Sequence, residues 1–148
     1  MITLRNLQRR ERIDLSVLRA FAERALPLCL QQRRRHPTPL ATLRDIGVLF
    51  VSDRRMAALH QQFMNIAGPT DVLTFQHGEI FISVDTACAN AKRFRTSLLH
   101  ELQLYLVHGL FHLHGYDDTT PSQAKRMQAA QARLLAAIGR GEGRGAAR

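Results

Sequence analysis

The stretch His108-Gly109-Leu110-Phe111-His112-Leu113-His114-Gly115-Tyr116-Asp117-Asp118 decides how the chain is read. Two histidines stand four residues apart in an apolar segment, a third follows two residues on, and a glycine, a tyrosine and two aspartates close it. On an α-helix, residues i and i+4 share a face one turn apart. His108 and His112 therefore project their imidazoles in one direction, the spacing by which a helix chelates zinc. The same spacing also occurs on helices that bind nothing. Here both rings sit in an otherwise apolar helix, where unpaired imidazoles are costly to bury. His114 falls about 100° or more around the helix from either neighbour and is expected to be exposed. Gly115 permits a sharp reversal at the helix end. A carboxylate beyond it, at Asp118, can reach back as a third ligand and leave a fourth position for water. Zinc in such a site lowers the pKa of bound water to about 7 and polarises a phosphoryl or carbonyl oxygen.

Upstream of these histidines, Ser97 opens the same helix, and Leu98, Leu102, Tyr105, Leu106 and Leu110 make it apolar enough to cross the interior of the fold. Ile2 to Leu7 alternates apolar and polar residues as a half-buried strand does. Asp14 caps a helix that runs to about Leu30. Gln31 to Pro39, QQRRRHPTP, is a basic loop with two prolines, and its arginine run is a candidate phosphate contact. Leu43 to Val51 reads as a central strand buried on both faces. Ser52 or Asp53 caps a helix carrying Met56, Leu59 and Phe63 on one face. Asn65 to Pro69 is a loop. Val72–Phe75 and Glu79–Ser83 form a hairpin, with Gly78 placed where a positive φ is needed. Asp85 or Thr86 starts a short helix through Phe94. Pro121 and Ser122 open a last helix through about Ile138. The remainder, Gly139 to Arg148, is a glycine- and arginine-rich tail read as disordered. Residues 1–138 are thus expected to form a single domain.

Composition narrows the function. The 148 residues carry a formal net charge of +9, and the isoelectric point is about 11.1. Of 21 basic residues only Lys92 and Lys125 are lysines. Guanidinium groups match phosphate in a bidentate way and stack on bases, so an anionic partner is favoured, nucleic acid before an acidic membrane. No segment has the ~18 apolar residues of a membrane span. The N-terminus is basic and polar where a secretory signal is apolar, and a cytoplasmic location is expected. Cys29 and Cys88 lie far apart in no CxxC pattern, and read as small core residues rather than a disulfide or a thiolate zinc site.

HGLFHLHGYDD resembles the HGxLHLxGYDH signature of the YbeY family of metal-dependent endoribonucleases. The likeness extends along the chain. Pro69 to Phe75, PTDVLTF, is similar to the family segment PTDVLSF; Gly78 to Ser83, GEIFIS, to its GDIxIS strand; and Glu101-Leu102 to its EL pair. The resemblance implies an α+β, zincin-like fold, with about five helices packed on a mixed four-stranded sheet. The metal site would lie on the central helix and the turn after it. It implies an endonuclease of single-stranded RNA, acting in maturation of the small-subunit ribosomal RNA at its 3′ end and in ribosome quality control. RNA and the small ribosomal subunit would be its partners. One zinc ion per chain, held by His108, His112 and Asp118, would supply the activated water, and Asp71 is a further candidate catalytic residue. Asp71 and Glu101 each also fit a structural role.

Two departures from the family pattern stand out. Its third ligand is usually a histidine at the position of Asp118. Aspartate is a legitimate zinc ligand, but it adds a negative charge that makes the metal less Lewis-acidic. Asp117 is the adjacent competitor. The family also has an arginine, thought to hold substrate phosphate, where this chain has Met64; Arg54, Arg55 and Arg93 are candidate substitutes. These departures motivate the alternative of a non-catalytic ribosome-assembly or RNA-binding factor with a structural zinc site. A metallopeptidase is disfavoured because Gly109 stands where HExxH enzymes carry their glutamate base.

Overall fold

Strand β1 (Ile2–Asn6) turns Ile2 and Leu4 inward and leaves Thr3 and Arg5 exposed, the period-2 pattern of its sequence. A computed structural model describes the backbone of residues 1–146 and the side chains of residues 1–141. Helix α1 (Leu15–Leu30) follows, its first turn capped by the Asp14 carboxylate, which accepts from the N–H groups of Ser16 and Val17. A short helix α2 (Pro39–Thr42) leads into β2 (Ile46–Val51), and Ser52 caps α3 (Asp53–Met64). The hairpin β3 (Val72–Phe75) and β4 (Glu79–Ser83) precedes α4 (Val84–Phe94), α5 (Leu98–Leu113) and α6 (Pro121–Ala146).

The four strands form one mixed sheet in the order β1-β2-β4-β3. β2 is central and parallel to both neighbours, with Val48 opposite Leu4 on one side and Ile80 on the other. β3 runs antiparallel to β4 at the edge, pairing Phe75 with Glu79 across the Gln76-His77-Gly78 connection. Gly78 takes a φ of +112° there, and a Cβ would come within 2.8 Å of the Asp45 carbonyl oxygen, so only glycine closes this turn without strain.

The alternation of the strands divides the apolar side chains between two faces. Ile2, Leu4, Val48, Phe50, Ile80 and Ile82 point into the larger core with α1, α4, α5 and α6. Val51, Leu73 and Phe81 point the other way, where Met56 of α3 covers them. The second face of β2 is less covered than the first, since Gly47 and Leu49 are only half-buried. Helix α5 lies against β3 and β4. It comes so close to β4 that a Cβ on Gly109 would sit 2.6 Å from Cγ2 of Ile80. Gly109 therefore sets the depth at which the histidine-bearing helix rests on the sheet.

The architecture is the expected α+β arrangement with a mixed four-stranded sheet, and against the expected about five helices it holds six among the described residues. The additional one, α2, has four residues and begins with proline, so its sequence reads as loop. The last helix continues to Ala146 instead of stopping near Ile138. Glycines weaken a helix without forbidding it, and no proline follows Pro121 to break it. Ala147 and Arg148, the end of the tail expected to be disordered, lie outside the described residues.

Candidate metal centre

Helix α5 is organised to deliver His108 and His112 from its last two turns. Ser97 caps its start, the hydroxyl accepting from the His100 N–H at 3.0 Å. Leu102, Leu106, Leu110 and Phe111 bury the helix on the core side. His108 and His112 emerge half-buried beside them, and Gly115, at a φ of +86°, turns the chain back so that Asp118 meets both rings.

The three donor atoms form a small triangle. The two Nε2 atoms are 3.1 Å apart, and Oδ2 of Asp118 lies 3.4 Å from that of His108 and 3.6 Å from that of His112. Ligands ~2.0–2.1 Å from a tetrahedral ion must stand about 3.3 Å from one another. The observed edges bracket that value, so the donor set fits a zinc-sized cation with no movement of the backbone.

Each ring is also held from behind. Nδ1–H of His112 donates to the Tyr116 carbonyl at 3.0 Å, which leaves Nε2 with its lone pair facing the triangle. Nδ1 of His108 meets the side-chain amide of Gln131, from α6, at 2.7 Å. With the amide nitrogen donating, the neutral His108 ring carries its proton on Nε2 and shares it with His112. A half-turn of the amide presents oxygen instead, and then Nδ1–H donates and Nε2 is free to coordinate. His108 has its pKa lowered, first by burial and then by the neighbouring His112, against the opposing pull of Asp118 and Asp71. The neutral, metal-binding form is thereby favoured.

The remaining sequence candidates fall in different places. Asp71 lines a cavity of about 360 Å³ together with His108, Tyr105 and Gln131. Its Oδ1 accepts from the Val72 N–H at 2.8 Å and from the Thr70 hydroxyl, which fixes the start of β3. Glu101 is buried in the first turn of α5. Asp117 is exposed and outside the triangle of donors, which Asp118 completes. Met64 is exposed at the end of α3. Arg54 and Arg55 lie in the first turns of α3, and the Arg93 guanidinium sits 5.2 Å from the Phe94 ring.

His114 is not exposed, as its angle on the helix implies; it is 4% accessible. The segment between α1 and α2 folds over that side of the helix end. Nε2–H of His114 donates to the Gln32 carbonyl at 2.7 Å, and Nδ1 accepts from the Thr38 hydroxyl at 2.9 Å. From the same segment Arg34 donates to the Gly115 carbonyl at 2.8 Å and lies 4.0 Å over the Tyr116 ring. No local sequence signal points to this contact, or to Gln131, because both partners come from other elements. The cysteines are free, Cys29 in the core and Cys88 half-buried. Burial pushes the Cys29 thiol up to about 12, so it is inert at neutral pH.

Known proteins resemble this chain along most of its length. The family described as Endoribonuclease YbeY matches residues 3–139. A protein named Endoribonuclease YbeY from Anaeromyxobacter is 39% identical over 105 residues, a segment of 64% of this chain and 55% of that protein. One of the same name from Phocaeicola vulgatus is 33% identical over 101 residues, covering 64% of this chain and 73% of the other. The matched segment thus spans only about half of the first relative's length. The solution structure of TM1509 from Thermotoga maritima superposes with a TM-score of 0.63 at 25% identity, covering 91% of this chain and 87% of that one. With nearly the whole chain matched from β1 to α6, this protein belongs to the endoribonuclease YbeY family.

Proposed function

We propose that the protein is a metal-dependent endoribonuclease that cuts single-stranded RNA, with His108, His112 and Asp118 holding one zinc ion per chain. The observation that carries this reading is the donor triangle, whose 3.1, 3.4 and 3.6 Å edges match three ligands of one tetrahedral ion. When bound, zinc supplies an activated water as nucleophile and polarises the phosphoryl oxygen.

This chain's own residues do the rest. The Tyr116 carbonyl and Gln131 fix the two imidazoles, so that neither ring must reorient as the ion enters. The cavity beside His108 is lined by Leu104 and Tyr105 of α5, Gln128 and Leu135 of α6, and Asp71, a mixture of apolar and polar side chains suited to an unstacked nucleobase. Asp71, with one oxygen committed to the start of β3, keeps the other for a proton or a sugar hydroxyl in that cavity. The expected setting is ribosomal: maturation of the small-subunit RNA at its 3′ end, and quality control of ribosomes, in the cytoplasm. Among the described residues no helix is long and apolar enough to cross a membrane.

Purified protein should contain about one zinc per chain, the content of a single three-ligand site, and cleave unstructured RNA in a manner that chelation abolishes. Full cleavage by a His108→Ala, His112→Ala double variant would overturn the site. Met64, exposed and uncharged where the family carries its arginine, favours a second reading: a ribosome-assembly factor that binds RNA without turnover. Salt-sensitive association with the small subunit and no cleavage under any metal would select it.

A further inference from the structure

Against the Gly115 turn lies a cavity of about 600 Å³ whose charged walls are all basic: Arg33, Arg34, Arg35, His36 and Arg126. Pro37, Thr38, Pro39 and Gly115 complete it, with no carboxylate among them. A narrower cleft of about 150 Å³, also lined by Arg34 and Arg126, continues along Tyr116 to Asp117, next in sequence to Asp118. The walls thus run from the arginine loop to the turn that completes the donor triangle.

The loop that carries three of these arginines is held in place. Its flanks, Gln32 and Thr38, are both hydrogen-bonded to the buried ring of His114. Its middle is fixed by Arg34, which donates to the Gly115 carbonyl and stacks on Tyr116. Arg34 is thereby committed to the fold. Arg33, Arg35 and Arg126 are exposed, and among the described residues none of them has an ion-pair partner. A cluster of like charges held together without counter-charge is destabilising for the free protein, and an arriving anion relieves that repulsion. Guanidinium groups at such a site are suited to bidentate contacts with phosphate oxygens.

We infer that Arg33, Arg35 and Arg126 form a subsite for the backbone phosphates of a single-stranded RNA, and that Arg34 pins this subsite to the turn bearing Asp118. The inference rests on the nuclease reading for the identity of the strand. It places the phosphate-holding cations on the α1–α2 loop and α6 instead of on α3, where Met64 stands. The preorganised loop holds the strand beside the metal centre, and the cut falls in the nucleotides that leave the cavity toward Asp118.

The test is binding of a fluorescently labelled, unstructured RNA to the full chain across a salt series, followed by anisotropy with zinc bound and again with chelator. An Arg33→Ala, Arg35→Ala, Arg126→Ala variant should weaken binding at least about tenfold at ~0.1 M salt, and it should lower the salt slope by about 2, from ~0.7 per phosphate contact on a single strand. A charge-matched variant at exposed sites outside the cavity, Arg5→Ala, Arg9→Ala, Arg19→Ala, should move both much less. Equal losses in the two variants would reduce the effect to net charge and overturn the subsite, as would an unchanged slope in the cavity variant. Inorganic phosphate at matched ionic strength should compete only weakly; displacement of RNA at sub-millimolar phosphate would assign the cavity to the free ion and overturn the strand. RNA binding that depends on the cavity without any cleavage would sink the nuclease reading and leave the subsite standing. Cleavage with an unchanged cavity-variant slope would do the reverse, and a wild-type chain that binds no RNA would end both.

Discussion

Gln131 is the side chain that holds one ring of the candidate metal centre from behind without being one of its three donors. It reaches His108 across 23 residues of sequence, at 2.7 Å, and it is buried. Partners of this kind fix the tautomer and tilt of a ligating ring, and losing one costs roughly 10–100-fold in metal affinity. Gln131→Ala should therefore weaken zinc binding about tenfold in a competition with a chromophoric chelator, at unchanged helical content. Gln131→Glu keeps an acceptor for Nδ1–H and should hold zinc at least as tightly as the wild type. Equal affinity in all three proteins would remove Gln131 from this role. His108, His112 and Asp118 can be read from the sequence because helical spacing and a glycine turn are local facts. Gln131 cannot, since nothing in MQAAQARLL marks one glutamine as facing another helix. The Tyr116 carbonyl is legible even less, being backbone. His114 escapes for a related reason: a helical angle says which way a ring points, not what the chain folds over it.

At the scale of elements, the decisive contact is the approach of α5 to β4 at Gly109 and Ile80. Ile80 is fully buried and cannot yield. Gly109→Ala should overpack this contact and destabilise the fold by about 1–3 kcal/mol, read from denaturant unfolding. A neutral result would mean that the helix can lift off the sheet. Any larger side chain is excluded more strongly, a glutamate most of all, since its charge would be driven against an apolar strand. The missing base of HExxH enzymes is thus a consequence of packing depth, and a peptidase of that type cannot be built on this helix without moving it. The other elements follow from pattern. Alternation marks β1, apolar runs with turn residues mark the hairpin, and capping residues mark α1, α3 and α5. What escapes are short or weakly punctuated pieces: α2, one turn opening on a proline, and the last turns of α6, where glycines do not amount to a stop.

Across the whole molecule, a metal held by the donor triangle would link to the fold, because the triangle joins α5 to the turn that carries Asp118. A ligand that binds only the folded state adds stability that grows with the logarithm of its concentration over its dissociation constant, about 2.7 kcal/mol at a hundred times that constant. Chelation of the zinc-loaded protein should therefore lower Tm by several degrees, and readdition of zinc should restore it. A Tm indifferent to chelator would mean that nothing ligates there. The strand order β1-β2-β4-β3 belongs to this scale too, and it is not legible in the sequence beyond the hairpin. Parallel pairing joins residues as far apart as Leu4 and Val48, and its register is chosen by the packing of two helical layers rather than by any local signal. The consecutive carbonyls of Gly115 and Tyr116 carry a last consequence. One accepts from Arg34 and the other from His112, so a shift of these two adjoining peptide units is felt in the arginine cavity and at the donor triangle alike. Were both ligands to bind as proposed, reciprocity would hold between them: whatever factor an RNA strand added to the affinity for zinc, zinc would add to the affinity for the strand.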